Sequence, residues 1–203
     1  MMRIEGETKV NYPLQLSFKI LAIARQLSVT DSTGSLIGYV KQKAFKLKEA
    51  VTIFADEGQT QPLFTIGADR VIDFSARYHF RDRGGAVLGS VKRQGMKSLW
   101  RSRYDIMSGE QVVMTIQEAN PWSKVFDSLF GEIPILGMFT GYFFHPAYDV
   151  LRPNGAAVLR LVKEPAFFEG KFKIDKTGEM NQGEETLALL SLIMMILLER
   201  ARG

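Results

Sequence analysis

Cysteine is absent from the 203-residue chain. That removes disulfides, thiolate nucleophiles, cysteine-ligated zinc, iron–sulfur clusters and S-palmitoylation together. Histidine is nearly as scarce: His79 sits between Tyr78 and Phe80, and His145 precedes Pro146, so neither has a partner at metal-ligand spacing. No G-x-G-x-x-G, G-x-x-x-x-G-K or G-x-S-x-G pattern occurs, which leaves no phosphate-cradling loop and no nucleophile elbow. Asp175-Lys-Thr-Gly178-Glu179 lacks the alternating ligands of a calcium loop and reads as a hairpin turn. The expectation is therefore no catalytic residue, no metal, no cofactor and no identified small-molecule substrate, in a protein that is not an enzyme. The opening Met1-Met-Arg-Ile-Glu-Gly-Glu has no apolar signal core. Apolar residues make up 46% and charged residues 24%, too apolar for disorder and too charged for a polytopic membrane protein. A cytoplasmic location is expected.

What is present begins with the C-terminus. Glu184 and Glu185 precede Leu187-Ala-Leu-Leu-Ser-Leu-Ile-Met-Met-Ile-Leu-Leu198, and Arg200 and Arg202 follow. Carboxylates at the start and guanidiniums at the end complement a helix dipole, which predicts one helix over 184–200. Only Ser191 interrupts the run, so the helix is apolar on every side and has to be surrounded. At about 1.5 Å per residue the run covers roughly 18 Å, whereas a hydrocarbon core of about 30 Å needs about twenty residues. Burial in a protein core is the reading.

Most of the remaining chain alternates short strands with turns. Leu27–Thr30 and Leu36–Lys41 flank Asp31-Ser-Thr-Gly34, and Val51–Ala55 and Leu63–Gly67 flank Asp56-Glu-Gly58. Arg70–Phe74, Arg77–Phe80 and Ala86–Val91 follow, the last pair around Arg81-Asp-Arg-Gly-Gly85. Trp100–Ile106 and Val112–Ile116 surround Ser108-Gly109, and Ala156–Val162 and Phe167–Ile174 lead to the helix. Leu14–Ala24 is apolar and ambiguous between helix and strand. Turns of hairpin length imply antiparallel pairing. Ten to twelve such strands close a barrel wide enough to leave a lumen, and an apolar helix is a suitable plug for it. The predicted fold is therefore mainly β: a closed antiparallel barrel of about twelve strands around a buried C-terminal helix, as a single domain over 1–203. A carrier of small apolar ligands is disfavoured because the plug fills the lumen.

Two segments stand out from this pattern. In 120–148, Asn120-Pro121 opens a helical stripe of Trp122, Val125, Phe126, Leu129 and Phe130, which Gly131 and Pro134 break. Eight aromatic residues crowd into this stretch, too many for a simple surface loop. It reads as an apolar helical insertion packed over the barrel mouth, as a self-association surface, or as an element inserting into a membrane interface through Trp122, Phe126 and Phe130. The second segment, Arg77 to Arg103, holds eight basic residues against one acid, in a chain whose net charge is only +4. Lys41, Lys43, Lys46 and Lys48 form a further basic run. Clustered cations attract phosphate on lipid head groups or nucleic acid. They also serve as an ordinary solvated strand face.

The order Val29-Thr-Asp31 to Gly34, Gly38-Tyr-Val-Lys-Gln-Lys43, Tyr78-His-Phe-Arg-Asp82 to Gly85, Val87-Leu-Gly-Ser-Val-Lys-Arg93 and Ser98-Leu-Trp100, closed by the apolar helix, resembles the tubby C-terminal-like superfamily. The LURP-one-related and phospholipid-scramblase-like branch is the nearest in pattern. The resemblance implies a twelve-stranded barrel around a central helix, and binding of phosphoinositide-like head groups by a basic surface. Lys92, Arg93, Lys97, Arg101 and Arg103 are the residues expected to do this. The cysteine-rich segment of scramblase-like members is missing, so lipid scrambling is not expected. The leading expectation is a non-enzymatic barrel peripherally docked on anionic membranes. The alternative is a protein-interaction or homo-oligomeric scaffold using 120–148. Nucleic acid is an unlikely partner, because the basic segment belongs to no recognised nucleic-acid module.

Overall fold

The computed structural model describes residues 10–20, 24–43, 50–69, 76–94, 103–119, 147–164 and 170–200. Twelve strands and one helix lie in them: β1 (Leu14–Ile20), β2 (Ala24–Thr30), β3 (Leu36–Lys43), β4 (Val51–Phe54), β5 (Pro62–Ala68), β6 (Arg77–Asp82), β7 (Val87–Arg93), β8 (Arg103–Ser108), β9 (Gln111–Glu118), β10 (Ala147–Leu151), β11 (Ala157–Glu164), β12 (Gly170–Lys176) and α1 (Gln182–Arg200). Each strand pairs antiparallel with its neighbour in sequence, and β1 pairs with β12 to close the barrel. The ambiguous stretch after Leu14 is thus resolved as β1 and the start of β2. Its apolar period is two, and β12 and β2 supply pairing on both sides.

Strand alternation sets the wall. Leu14, Leu16 and Phe18 of β1, Leu27 and Val29 of β2, and Phe172 and Ile174 of β12 face inward and are buried. The intervening Gln15, Ser17 and Lys19 have the opposite parity. Closure gives every strand a hydrogen-bonded neighbour on both sides, although β3 and β4 meet only at Tyr39 and Phe54. Helix α1 runs through the lumen, with every residue from Leu187 to Leu197 buried. Its one polar residue there is satisfied locally: the Ser191 hydroxyl donates to the Leu187 carbonyl at 2.7 Å.

The helix is fastened at both ends. Asn181 and Glu184 form a capping box, with Glu184 N–H donating to Asn181 Oδ1 (2.9 Å) and Asn181 N–H to Glu184 Oε2 (3.1 Å). Arg152 reaches the same carboxylate at 2.9 Å. At the other end the buried Tyr104 hydroxyl donates to Glu199 Oε1 at 2.5 Å. There the Arg200 guanidinium also lies 4.4 Å from the Phe18 ring centroid, a cation–π contact. Arg200 fills the space above Gly170, where any Cβ would collide with the guanidinium.

The helix is not centred: it runs closest to β6, β7 and β8. Gly89 permits this, because a Cβ there would lie 2.5 Å from the Met107 carbonyl oxygen and 2.7 Å from Leu187 Cδ1. The side of the lumen against β12, β1 and β2 to β5 stays partly empty. The helix occupies the lumen as expected and leaves this space beside it.

Candidate functional site

The two ends of the barrel are built differently, and each contains a candidate site. One end, here the turn end, carries the connections β2–β3, β4–β5, β6–β7, β8–β9 and β10–β11, and the start of α1. At the exit end, where α1 finishes, lie the connections β1–β2, β3–β4, β5–β6, β7–β8, β9–β10 and β11–β12.

Of the sequence-predicted lipid-binding residues, Lys92, Arg93 and Arg103 lie at the exit end. Lys92 is exposed on the outer face of β7, opposite Asp105 of β8. Arg103 is exposed at the start of β8, and its carbonyl accepts from Gln94 N–H at 2.9 Å. Arg93 is different. It continues the inward row of Gly89 and the buried Val91, is half-buried, and lies opposite Tyr104. Neighbours in a strand face opposite sides, so Lys92 and Arg93 do not share one surface. Lys97, Arg101, Trp122, Phe126 and Phe130 lie outside the described residues. So does most of the 120–148 insertion; Ala147 and Tyr148 belong to β10.

The basic run from Arg77 to Arg103 is likewise divided. Arg81 and Arg83 flank the β6–β7 connection at the turn end, opposite the end of Lys92 and Arg103. Arg77 is engaged on the outer face, its guanidinium donating to both Glu110 oxygens at 2.7 and 3.1 Å. That hydrogen bond and the adjacent positive charge hold the Glu110 carboxyl below its usual range. Asp105 is held by Gln94, whose amide donates to its two oxygens at 2.9 and 2.8 Å. The described outer face of β6 to β8 is therefore mixed in charge.

At the turn end a cavity of about 260 Å³ opens between α1 and the wall of β12, β1 and β2 to β5. Its depth is apolar, formed by the buried Leu16, Val29, Ile53, Phe64 and Ile193. Thr33, Ser35 and Gln182 stand at its exposed rim. Asp31 organises that rim by accepting from Thr33 N–H (2.9 Å), Thr33 Oγ1–H (2.6 Å) and Ser35 N–H (3.0 Å). These bonds, the Thr33 hydroxyl foremost, keep its carboxyl below the usual carboxylate value. Glu185, also on the lining, pairs with Lys176 at 3.3 Å. Nearby, burial and the Glu185 charge push the Tyr12 hydroxyl well above the ordinary tyrosine value, so it stays protonated. Sequence reasoning missed this cavity. The available signal was Gly38 and Gly89, two inward glycines inside strands, which mark close approach or empty space beside the backbone.

Among the described residues no cluster of three His, Asp or Glu is placed to hold a metal ion. Among them, too, no helix is long and apolar enough to cross a membrane. A family model described as LURP-one-related matches residues 36–179, which run from the start of β3 to the residues just before α1. No curated protein and no solved structure matches the chain.

Proposed function

Because the chain belongs to the LURP-one-related family, part of the tubby-like superfamily, we propose that it is a cytoplasmic barrel that docks peripherally on anionic lipid surfaces without catalysing a reaction. The support is topological. The β7–β8 connection carries Lys97 and Arg101 between the exposed Lys92 and Arg103, and the β9–β10 connection carries Trp122, Phe126 and Phe130. Both leave the exit end, and β8 and β9 are adjacent strands. Residues that attract lipid phosphate and residues suited to the apolar interface thus arise side by side. The β3–β4 connection, with Lys46 and Lys48, leaves the same end.

Magnitudes favour joint action. A basic residue near an anionic surface contributes about 1 kcal/mol, so Lys92, Lys97, Arg101 and Arg103 give only moderate, salt-sensitive attachment. One or two aromatic side chains entering the interface add a part that salt does not screen. Arg93, facing inward, is assigned to the barrel mouth rather than to the lipid contact.

The test is co-sedimentation of the full chain with phosphatidylcholine vesicles, with and without phosphatidylserine or phosphoinositide, at low and high salt. Binding to anionic vesicles only, reduced at least tenfold by Arg101→Glu/Arg103→Glu, is expected. A further loss in Trp122→Asp assigns the apolar part. No binding to any vesicle overturns the proposal. Concentration-dependent dimers abolished by Phe126→Asp would then identify 120–148 as a self-association surface instead.

A further inference from the structure

We infer that the turn-end cavity is a binding site for one small, mostly apolar molecule whose polar head is uncharged or cationic. The void is a consequence of the fold. Gly89 lets α1 lean on β6 to β8, and Gly38, facing inward from β3, puts no side chain into the gap beside it. The resulting volume of about 260 Å³ exceeds the roughly 150 Å³ of apolar cavities that stay dry and take up benzene. Leu16, Val29, Ile53, Phe64 and Ile193 offer no polar group to hold water in its depth, so an apolar guest meets little competition. Access comes from the exposed Thr33, Ser35 and Gln182 at the rim.

The rim selects the head group. Among the described lining residues there is no lysine, arginine or histidine, while Asp31 and Glu185 contribute two carboxylates. Both are already engaged, Asp31 by its own turn and Glu185 by Lys176. Glu185 is offset by Lys176, so the rim keeps one net negative charge, that of Asp31, fixed in place by its turn. A carboxylate or phosphate head would be repelled; a hydroxyl or an ammonium would not. The site lies at the opposite end of the barrel from the proposed lipid contact and does not depend on it.

The experiment is a fluorescence titration of the full chain with N-phenyl-1-naphthylamine, a neutral apolar probe, followed by displacement with decan-1-ol, decylamine and decanoate. The expected result is saturable one-to-one binding, displaced by the alcohol and the amine and at least tenfold less well by decanoate. Gly38→Val and Ile193→Phe fill the void. A Cβ at Gly38 meets Ile53 and Val29 only at 3.5 and 3.9 Å, ordinary contact distances. Both variants are expected to lose probe affinity at least tenfold while keeping or raising Tm, with vesicle binding unchanged. Absence of saturable probe binding to the wild type, or unchanged binding in a folded filler variant, overturns the inference. Equal displacement by decanoate overturns the head-group assignment. Thermal shifts of the wild type give an independent check: decan-1-ol should raise Tm, and no shift counts against the site.

Discussion

The turn end and the exit end of the barrel use side chains for opposite purposes. At the turn end a few polar residues bend the chain and are consumed in doing so. Asp31 accepts three hydrogen bonds within its own turn, Asp56 accepts from Thr60 N–H and Gln61 N–H, and Asp82 accepts from Ala86 N–H at 2.8 Å. Gly34 and Gly85, at φ +81° and +85°, take the left-handed position that closes two of these turns. The exit-end strand termini are joined by sequence that includes Lys46, Lys48, Lys97, Arg101, Trp122, Phe126 and Phe130, which lie outside the described residues. Residues spent on local geometry stabilise the fold; under the proposal above, the exit-end cations and aromatics are the ones that meet a partner. Charge is not divided so cleanly: Asp31, Asp56, Glu57, Asp82 and Glu184 lie at the turn end together with Arg81, Arg83 and Arg152, and Lys92 and Arg103 lie at the exit end together with Asp69 and Glu199.

The largest effect should come from removing the element that joins the two ends. Deleting 184–203 takes away a helix buried from Leu187 to Leu197. At about 1.5–3 kcal/mol per buried large apolar side chain, the loss exceeds a typical total stability of about 5–15 kcal/mol. The truncated chain should show no cooperative thermal transition by circular dichroism. A truncated chain that kept its transition would mean the wall closes without its plug, and the ends would then be independent.

Next in size is a pair of identical changes on two different stretches of the wall. Gly89→Val pushes a side chain into the Met107 carbonyl and Leu187, so it should cost about 3 kcal/mol, or roughly 6–12 °C in Tm. Gly38→Val should leave Tm unchanged or higher, because it enters the cavity. Equal losses in the two variants would mean the helix is not displaced toward β7.

A smaller effect separates the ends directly. Asp31→Ala removes the acceptor of a whole turn and should lower Tm by a few degrees at pH 7, whereas Lys97→Ala should leave Tm unchanged and weaken vesicle binding. The Asp31 carboxyl titrates below its ordinary value in the fold. Its stabilising contribution is therefore complete above the unfolded pKa of about 3.9 and disappears as pH falls through the lower native value. The gap in Tm between wild type and Asp31→Ala should narrow below about pH 4. A gap that persists in acid would show that the charge is not what holds the turn.

Legibility in the sequence follows the same line. Features decided locally could be read: the Asp-x-x-Gly turns, the strand alternation, and a helix apolar on all sides that had to be enclosed. Features decided across the barrel could not. Arg93 counts as a surface cation until the buried Val91 fixes its parity, and Arg81 sits near Arg77 in sequence but at the other end of β6. The cavity depends on Gly89 admitting the helix to β7 while Gly38 leaves space beside β3, which no local pattern states. The capping box of Asn181 and Glu184 is a local feature too, two residues three apart just before the apolar run.

The smallest expected effect addresses the outer face that joins the two ends. Arg77 and Glu110 make two hydrogen bonds, yet the Glu110 side chain is 84% exposed, and pairs so open to water contribute little to stability. Glu110→Gln should therefore leave Tm within about a degree of wild type. It does change the field. Arg77 lies opposite Lys92 in the register of β6 and β7, and without the Glu110 charge these two cations keep only Asp69 and Asp105 as neighbouring acids. If anionic lipid reaches this face, affinity for anionic vesicles should rise by up to about fivefold, the equivalent of about 1 kcal/mol for one freed cation, and the gain should vanish at high salt. If affinity does not change, the lipid contact stops at the exit-end connections and the strand face serves only as solvated wall. Either result fixes how far along the barrel the division between structural and partner-facing charge extends.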